Sequence, residues 1–254
     1  MTSSDRPPYG HMPSTKEDVP GKPLSMGSSL IEKGAKMLQT MAPIKQFQQH
    51  VCSWAIYSHD MSRQIETHHY VTRLNEDFLQ CAVYDAESSD ARLIGVEYIV
   101  SDRLFEALPN EEKQLWHSHF HEIKSGLWVN PGVPELIQKP ELKKLAKSYG
   151  KFWCTWQFDR GDRLPLGVPA LMMSPQGENW GQIKEELILK RDEKYKISTL
   201  EKAESRVGIE GPEKIDPLAD HWKKNGKGWV VEAKEIDMIL KAGSPLSTLR
   251  ASQT

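Results

Sequence analysis

Four stretches concentrate β-branched and aromatic residues, LQCAVYD (79–85), RLIGVEYIV (92–100), KFWCTWQF (151–158) and WVVEAKEI (229–236). Each is predicted to be a strand, because such side chains pack well on a pleated, half-buried surface. The first two flank AESSDA, whose small polar residues suit a hairpin loop. Helices are predicted at 109–115, where Pro109 suits a first turn and Glu111 and Glu112 follow, and at 140–148, 179–193 and 198–206. The last opens with Ser198-Thr199-Leu200-Glu201, the pattern of a capping box. Residues 44–66 mix short helical and extended signals. Helices and strands do not alternate in a βαβ rhythm. The pattern predicts an α+β fold, a single domain around a mainly antiparallel sheet with flanking helices.

Ahead of this body, SLIEKGAKMLQTMA (29–42) has helical periodicity. Leu30, Ile31, Ala35, Met37, Leu38, Met41 and Ala42 fall within an arc of roughly 160° on a helical wheel. Glu32, Lys33, Lys36, Gln39 and Thr40 occupy the remainder. Gly34 costs such a helix roughly 1 kcal/mol, and Pro43 stops it. The apolar stripe can dock either on a lipid surface or on the protein's own core. Leu30, Ile31, Met37, Leu38 and Met41 are the candidate lipid-surface residues. The chain thus divides into a disordered tail (1–28) poor in branched apolar residues, an amphipathic helix (29–43), a folded body (44–240) and a second loose tail (241–254).

Composition narrows the function classes. The 254 residues carry a net charge of −2, so no global field argues for nucleic acid. Three dispersed cysteines, with no CxxC pair, offer no disulfide framework and suit a reducing compartment. The start, MTSSDRPPYGHMPS, has no apolar stretch of the kind a secretory leader needs. The least polar long run, LPLGVPALMMSP, holds three prolines and is too short to cross a bilayer. No transmembrane segment is expected.

Chemistry concentrates in LWHSHFHEIKSG (115–126), where His117, His119 and His121 stand at alternate positions and Glu122 follows. On an extended strand alternate residues share one side; on a helix only His117 and His121 would share a face. A helix ending near Leu115 followed by an extended His117/His119 segment would face IETHHYVTRLNED (65–77). His68 or His69 together with His117 and His119 would suit a divalent transition metal, since neutral imidazole nitrogen is a good ligand. Glu66, Glu97 or Glu122 could complete the shell. The alternative is a set of structural histidines bonded to backbone and carboxylates across a polar sheet face. No HExxH, GxSxG, GxxxxGK[ST] or GxGxxG pattern is present. Cys81 and Cys154 lie in apolar runs that suit inert buried thiols. Trp116, Trp128, Trp153 and Trp156 suit core packing, and FDRGDRLPLG suits a solvated turn.

Longer blocks carry a resemblance. DMSRQIETHHY, LNEDFLQCAVYD, ARLIGVEYIVSDRLFEALPNEEKQLWHSH, EIKSGLWVNPGVPELIQKPEL, AKSYGKFWCTWQFDRGDRLPLGVPALMMSPQ and GPEKIDPLAD are similar to the plant oil body-associated protein family, which has fungal and bacterial relatives. The resemblance covers residues 44–240. It implies a protein of seed oil bodies, the lipid droplets that store triacylglycerol, with a part in their formation or stability and with no catalytic activity. Many members continue HHY as Cys-x-His, where this sequence has Val71 and Arg73; any site using those two ligands would lack them here. The expectation is a non-enzymatic, peripheral protein of the lipid-droplet surface and cytosol, without a cofactor unless the histidines hold a metal. The alternative is a metal-dependent enzyme or sensor for a small, lipid-derived ligand.

Overall fold

In the computed structural model, which describes residues 19–177 and 181–236, six strands close into an antiparallel barrel. The seven strands of the sheet, all but β5 belonging to the barrel, are β1 (Gln49–Tyr57), β2 (Asp60–Asn75), β3 (Phe78–Tyr84), β4 (Leu93–Ser101), β5 (His117–Ser118), β6 (Ser148–Cys154) and β7 (Ala170–Met173). Around the barrel the order is β4-β3-β2-β1-β7-β6, and β6 pairs back onto β4 to close it. The two-residue β5 adds to β6 beside β7, with His117 opposite Gly150. The helices are α1 (Met26–Leu38), which precedes the barrel and buries no residue, and α2 (Asp102–Glu106), α3 (Asn110–Lys113), α4 (Phe120–Lys124), α5 (Glu135–Leu145), α6 (Glu185–Tyr195), α7 (Thr199–Ser205) and α8 (Trp222–Asn225). The α+β class with a mainly antiparallel sheet is therefore the observed one.

Alternation along the strands fills the interior. Val51, Ala55 and Tyr57 of β1, Ile65 and Val71 of β2, and Leu79, Cys81 and Val83 of β3 join Ile99, Phe152 and Met172 in one buried cluster. The outer face of β1 is covered as well. Cys52 bridges to Val129, and Trp54 packs with Ile56, Leu127 and Ile183. A strand buried on both faces loses the period-two signature, which is why residues 44–66 read ambiguously. The hairpin at 86–91 forms as expected, closed by Asp85, whose carboxylate accepts from the Arg92 backbone N–H at 2.8 Å and from its Nε at 2.5 Å.

Several boundaries differ from expectation. The stretch 229–236 is not a strand. A closed barrel leaves it no sheet edge to join, and it is tied instead by the Ser58 hydroxyl, which donates to the Trp229 carbonyl at 2.9 Å. The helix expected at 140–148 starts five residues earlier and carries Pro140 inside it, while Ser148 opens β6. Pro140 supplies no N–H to the Leu136 carbonyl, but Leu136 lies on the solvent side and Leu142 and Leu145 anchor the helix. α6 begins only at Glu185. A turn in which the Gln176 N–H donates to the Gly181 carbonyl precedes it. The N-cap half of the expected capping box is present: the Ser198 hydroxyl accepts from the Glu201 N–H at 3.2 Å.

The turn FDRGDR is not merely solvated. Arg63 grips the Asp159 carboxylate through Nε and Nη2, both at 2.8 Å, and the Tyr57 hydroxyl donates to the same group at 2.7 Å. Arg160 and Asp162 are buried and paired with each other. Trp116 and Trp128 are core residues, and Trp153 and Trp156 are half-buried. The tails expected at 1–28 and 241–254 fall mainly outside the described residues, and α1 claims residues 26–28 from the first of them.

Two fully buried arginines lock helices to the barrel. Arg191 lies over the Trp54 ring at 4.4 Å and donates to the Leu127 carbonyl at 2.9 Å. Arg206 donates to the carbonyls of Ile123 (3.0 Å) and Trp128 (2.9 Å) and pairs with both carboxylate oxygens of Glu135. Removing a buried partner of this kind strands the others without water. Arg206→Met is expected to lower unfolding free energy by about 3 kcal/mol in urea titration followed by circular dichroism.

Candidate functional site

The hub of the interior is Glu97, on the inward face of β4 and fully buried. Three imidazoles converge on its carboxylate. His69 Nδ1 lies 2.8 Å from Oε2, His117 Nε2 lies 3.0 Å from Oε1, and His119 Nε2 lies 3.4 Å from Oε1. Each arrives by a different route. His69 is an inward residue of β2, His117 sits on the short β5, and His119 ends that strand with helical φ and ψ as the cap of α4. Glu122, one turn into α4, reaches the same chamber. Its Oε1 is 3.9 Å from His119 Nε2, and its Oε2 accepts from the Ser53 hydroxyl at 3.1 Å.

The histidine comb is thus divided. His117 and His119 enter the barrel, but the turn into α4 takes His121 out of the set. His68 departs from expectation. It is adjacent to His69 on β2, so it points to the opposite face. There His68 Nδ1 meets His50 Nε2 at 3.0 Å, and its Nε2 lies 3.2 Å from Glu66. Three of the four candidate histidines share a site, and Glu97, only one of three acidic candidates in the sequence, is its centre. The signal that could have singled it out is a carboxylate at an inward position of an otherwise apolar strand. Val71 faces the apolar core, and Arg73 pairs with Glu141 of α5. The interior cluster is built without either position.

Local packing leaves room for the cluster. Gly150 lies opposite His117, and a Cβ there would stand 2.4 Å from Glu97 Oε1 and 2.6 Å from the Nε2 atoms of His117 and His119. His69, Glu97, His117 and Glu122, with Ser53, Trp128 and Phe152 among the other walls, line a cavity of about 10 Å³. That is space for a single water or ion and excludes an organic substrate.

Electrostatics follow from the enclosure. Burial opposes ionisation of Glu97, but the charges and hydrogen bonds of His69, His117 and His119 outweigh it and hold the carboxyl well below its usual range. Burial would lower the His117 imidazole, yet its bond to Glu97 raises it. Burial raises Glu122, and it carries Asp220, whose carboxylate accepts from the Ser118 N–H, up to about 6. Burial also raises the thiols, Cys52 well out of the thiolate range and Cys154 to about 11, so they are not poised as nucleophiles.

A closed antiparallel barrel enclosing a histidine–carboxylate cluster is the class that fold and site define. Residues 41–210 match the family described as "Protein of unknown function (DUF1264)". The chain is 57% identical over 247 residues to oil body-associated protein 2A of Arabidopsis thaliana, covering 96% of this chain and 100% of that one. It is 49% identical over 251 residues to oil body-associated protein 2B of Zea mays, covering 96% and 100%. It is 43% identical over 221 residues to oil body-associated protein 1B of Arabidopsis thaliana, covering 87% and 90%. No solved structure matches it. The chain belongs to the oil body-associated protein family.

Two outcomes are expected from this geometry. Gly150→Ala should destabilise the fold by about 1–3 kcal/mol through overpacking. Gly208→Ala, where a Cβ meets nothing within 4 Å, should change it by less than about 1 kcal/mol; thermal melts of both compare them directly. On the outer face, burial and the neighbouring His68 hold the His50 imidazole down to about 4, against 6.5 ordinarily. Between these values the unfolded chain binds a proton that the folded chain does not. His50 therefore contributes stability above pH 6.5 that is lost as pH falls towards 4. His50→Gln should flatten that part of the pH–stability curve.

Proposed function

We propose that this is a non-enzymatic, peripheral protein of the oil-body surface that supports the formation and stability of seed lipid droplets, with its barrel facing the cytosol. The observation that carries the reading is the state of α1. None of its residues is buried; Leu30 and Ile31 are 72% and 73% exposed, and Met37 and Leu38 are 87% and 88% exposed. Met41, just beyond the helix, is also exposed. The stripe does not dock on the protein's own core, so it is available to a lipid monolayer.

Local chemistry supports helix formation there. The Ser25 hydroxyl accepts from the Ser28 N–H at 3.1 Å, supplying an N-cap. Lys33 and Lys36 are exposed beside the apolar stripe and suit anionic headgroups. Four large apolar side chains at roughly 1.5 kcal/mol each give about 6 kcal/mol on full burial. That strength suits reversible adhesion rather than permanent anchoring. Among the described residues no helix is long and apolar enough to cross a membrane, which is consistent with attachment from one side. The names of the relatives supply the droplet itself.

Replacing Leu30, Ile31, Met37 and Leu38 together by serine should reduce co-flotation with triacylglycerol–phospholipid droplets by roughly tenfold or more, while the melting temperature of the barrel stays unchanged. Undiminished flotation of the folded variant would remove α1 from the mechanism.

A further inference from the structure

The hydroxyl partners of two histidines around Glu97 bear on which ring nitrogens carry protons. Ser148 Oγ donates its one proton to the Leu145 carbonyl at 2.7 Å, so towards His119 Nδ1, 2.9 Å away, it is an acceptor. Nδ1 of His119 therefore carries the ring proton, and the Nε2 lone pair faces Glu97 Oε1 and Glu122 Oε1. At His69, Thr67 Oγ1 lies 3.3 Å from the Ser53 carbonyl and 2.9 Å from Nε2, so its one proton can go to either, and Nδ1, 2.8 Å from Glu97 Oε2, can donate or accept accordingly. A neutral His119 turns a lone pair to a buried carboxylate, so either a second ring proton or a cation must lie between them.

A second proton would make His119 an imidazolium in an enclosed interior, with a heavy desolvation cost. One dication meets the same requirement at a single point. In metal sites a ligating imidazole commonly donates its remote N–H to a fixed acceptor, which sets the tautomer; Ser148 is placed to be that acceptor for His119, whereas the remote Nδ1 of His117 is buried with no hydrogen-bond partner among the described residues. Spacing agrees. Ligands about 2.05 Å from a tetrahedral ion stand about 3.3 Å apart, and the two Nε2 atoms lie 3.0 and 3.4 Å from Glu97 Oε1. One ligand atom from each of Glu97, His117 and His119 lies within 4.8 Å of the others. The glycine at position 150 keeps free the space a Cβ would otherwise take beside these atoms.

We propose that Glu97, His117 and His119 bind one divalent transition-metal ion of the zinc class inside the barrel, with His69 held against the second Glu97 oxygen as a further nitrogen donor. Nitrogen-rich donors with one carboxylate favour zinc-class ions over calcium or magnesium. Because the chamber holds little beyond one ion or one water, the metal cross-links β2, β4, β5 and the start of α4. The site is separate from α1, so it stands or falls independently of the droplet reading.

The test uses full-length protein purified without a polyhistidine tag, stripped with chelator and titrated with Zn²⁺ alone. Expected are one bound equivalent per chain by elemental analysis after desalting and a rise in melting temperature. Ser148→Ala, which removes the acceptor of the His119 proton and one bond to the Leu145 carbonyl, should weaken zinc binding by about 10–100-fold while the chain stays folded. Glu97→Gln and His119→Ala should abolish it, and Ser148→Ala decides the matter if those two do not fold. His50→Gln, on the outer face, should retain the full equivalent. Folded wild-type protein that takes up no zinc and shows no thermal shift would overturn the proposal. So would zinc lost with His50→Gln yet indifferent to Ser148→Ala.

Discussion

A carboxylate buried in a β-barrel is the constraint around which the rest of this structure is arranged. An isolated ionised glutamate in such a place would cost several kcal/mol. Glu97 remains ionised because three imidazoles are brought to it from β2, β5 and the turn into α4. That requirement explains features that otherwise look incidental. β5 is only two residues long and delivers one histidine. The chain then turns helical at the next histidine, and β6 carries a glycine where the ring atoms crowd.

The outer layer serves the same end. α4 and the chain after it, from Ile123 to Trp128, have backbone carbonyls that two buried arginines collect. Arg191 and Arg206 arrive from α6 and from the end of α7, so helices far along the chain fix the segment that presents His119 and Glu122. Their planar, multi-donor guanidinium groups can satisfy several carbonyls and a carboxylate at once, which lysine could not do. The buried arginines and the buried histidine cluster are thus parts of one polar framework threaded through an apolar core.

α1 has the opposite character. It is capped, amphipathic and without a buried residue, whereas the barrel buries its histidine–carboxylate cluster around a small chamber. The exposed apolar stripe and the interior cluster lie in separate parts of the structure. The chamber, of about 10 Å³, is too small to admit a lipid.

Local signals were legible wherever one face of an element meets water. Whereas the helix expected over 29–42 is observed as Met26–Leu38, the strands at 79–85 and 92–100 and the helix N-cap at Ser198 followed from residue type and period. β1 did not, because burial on both faces erased its alternation, and β2 escaped because its polar residues at inward and outward positions obscured the period. The stretch 229–236 has strand-forming residues but no edge to pair with, which only barrel closure decides. The histidines as a group were visible in the sequence, along with glutamates that might join them. Which of His68 and His69 would enter, and that Glu97 rather than Glu66 or Glu122 would be the centre, depended on register. A strand sends neighbouring side chains to opposite faces, and only the pairing of β2 with β1 and β3 determines which face becomes the inside.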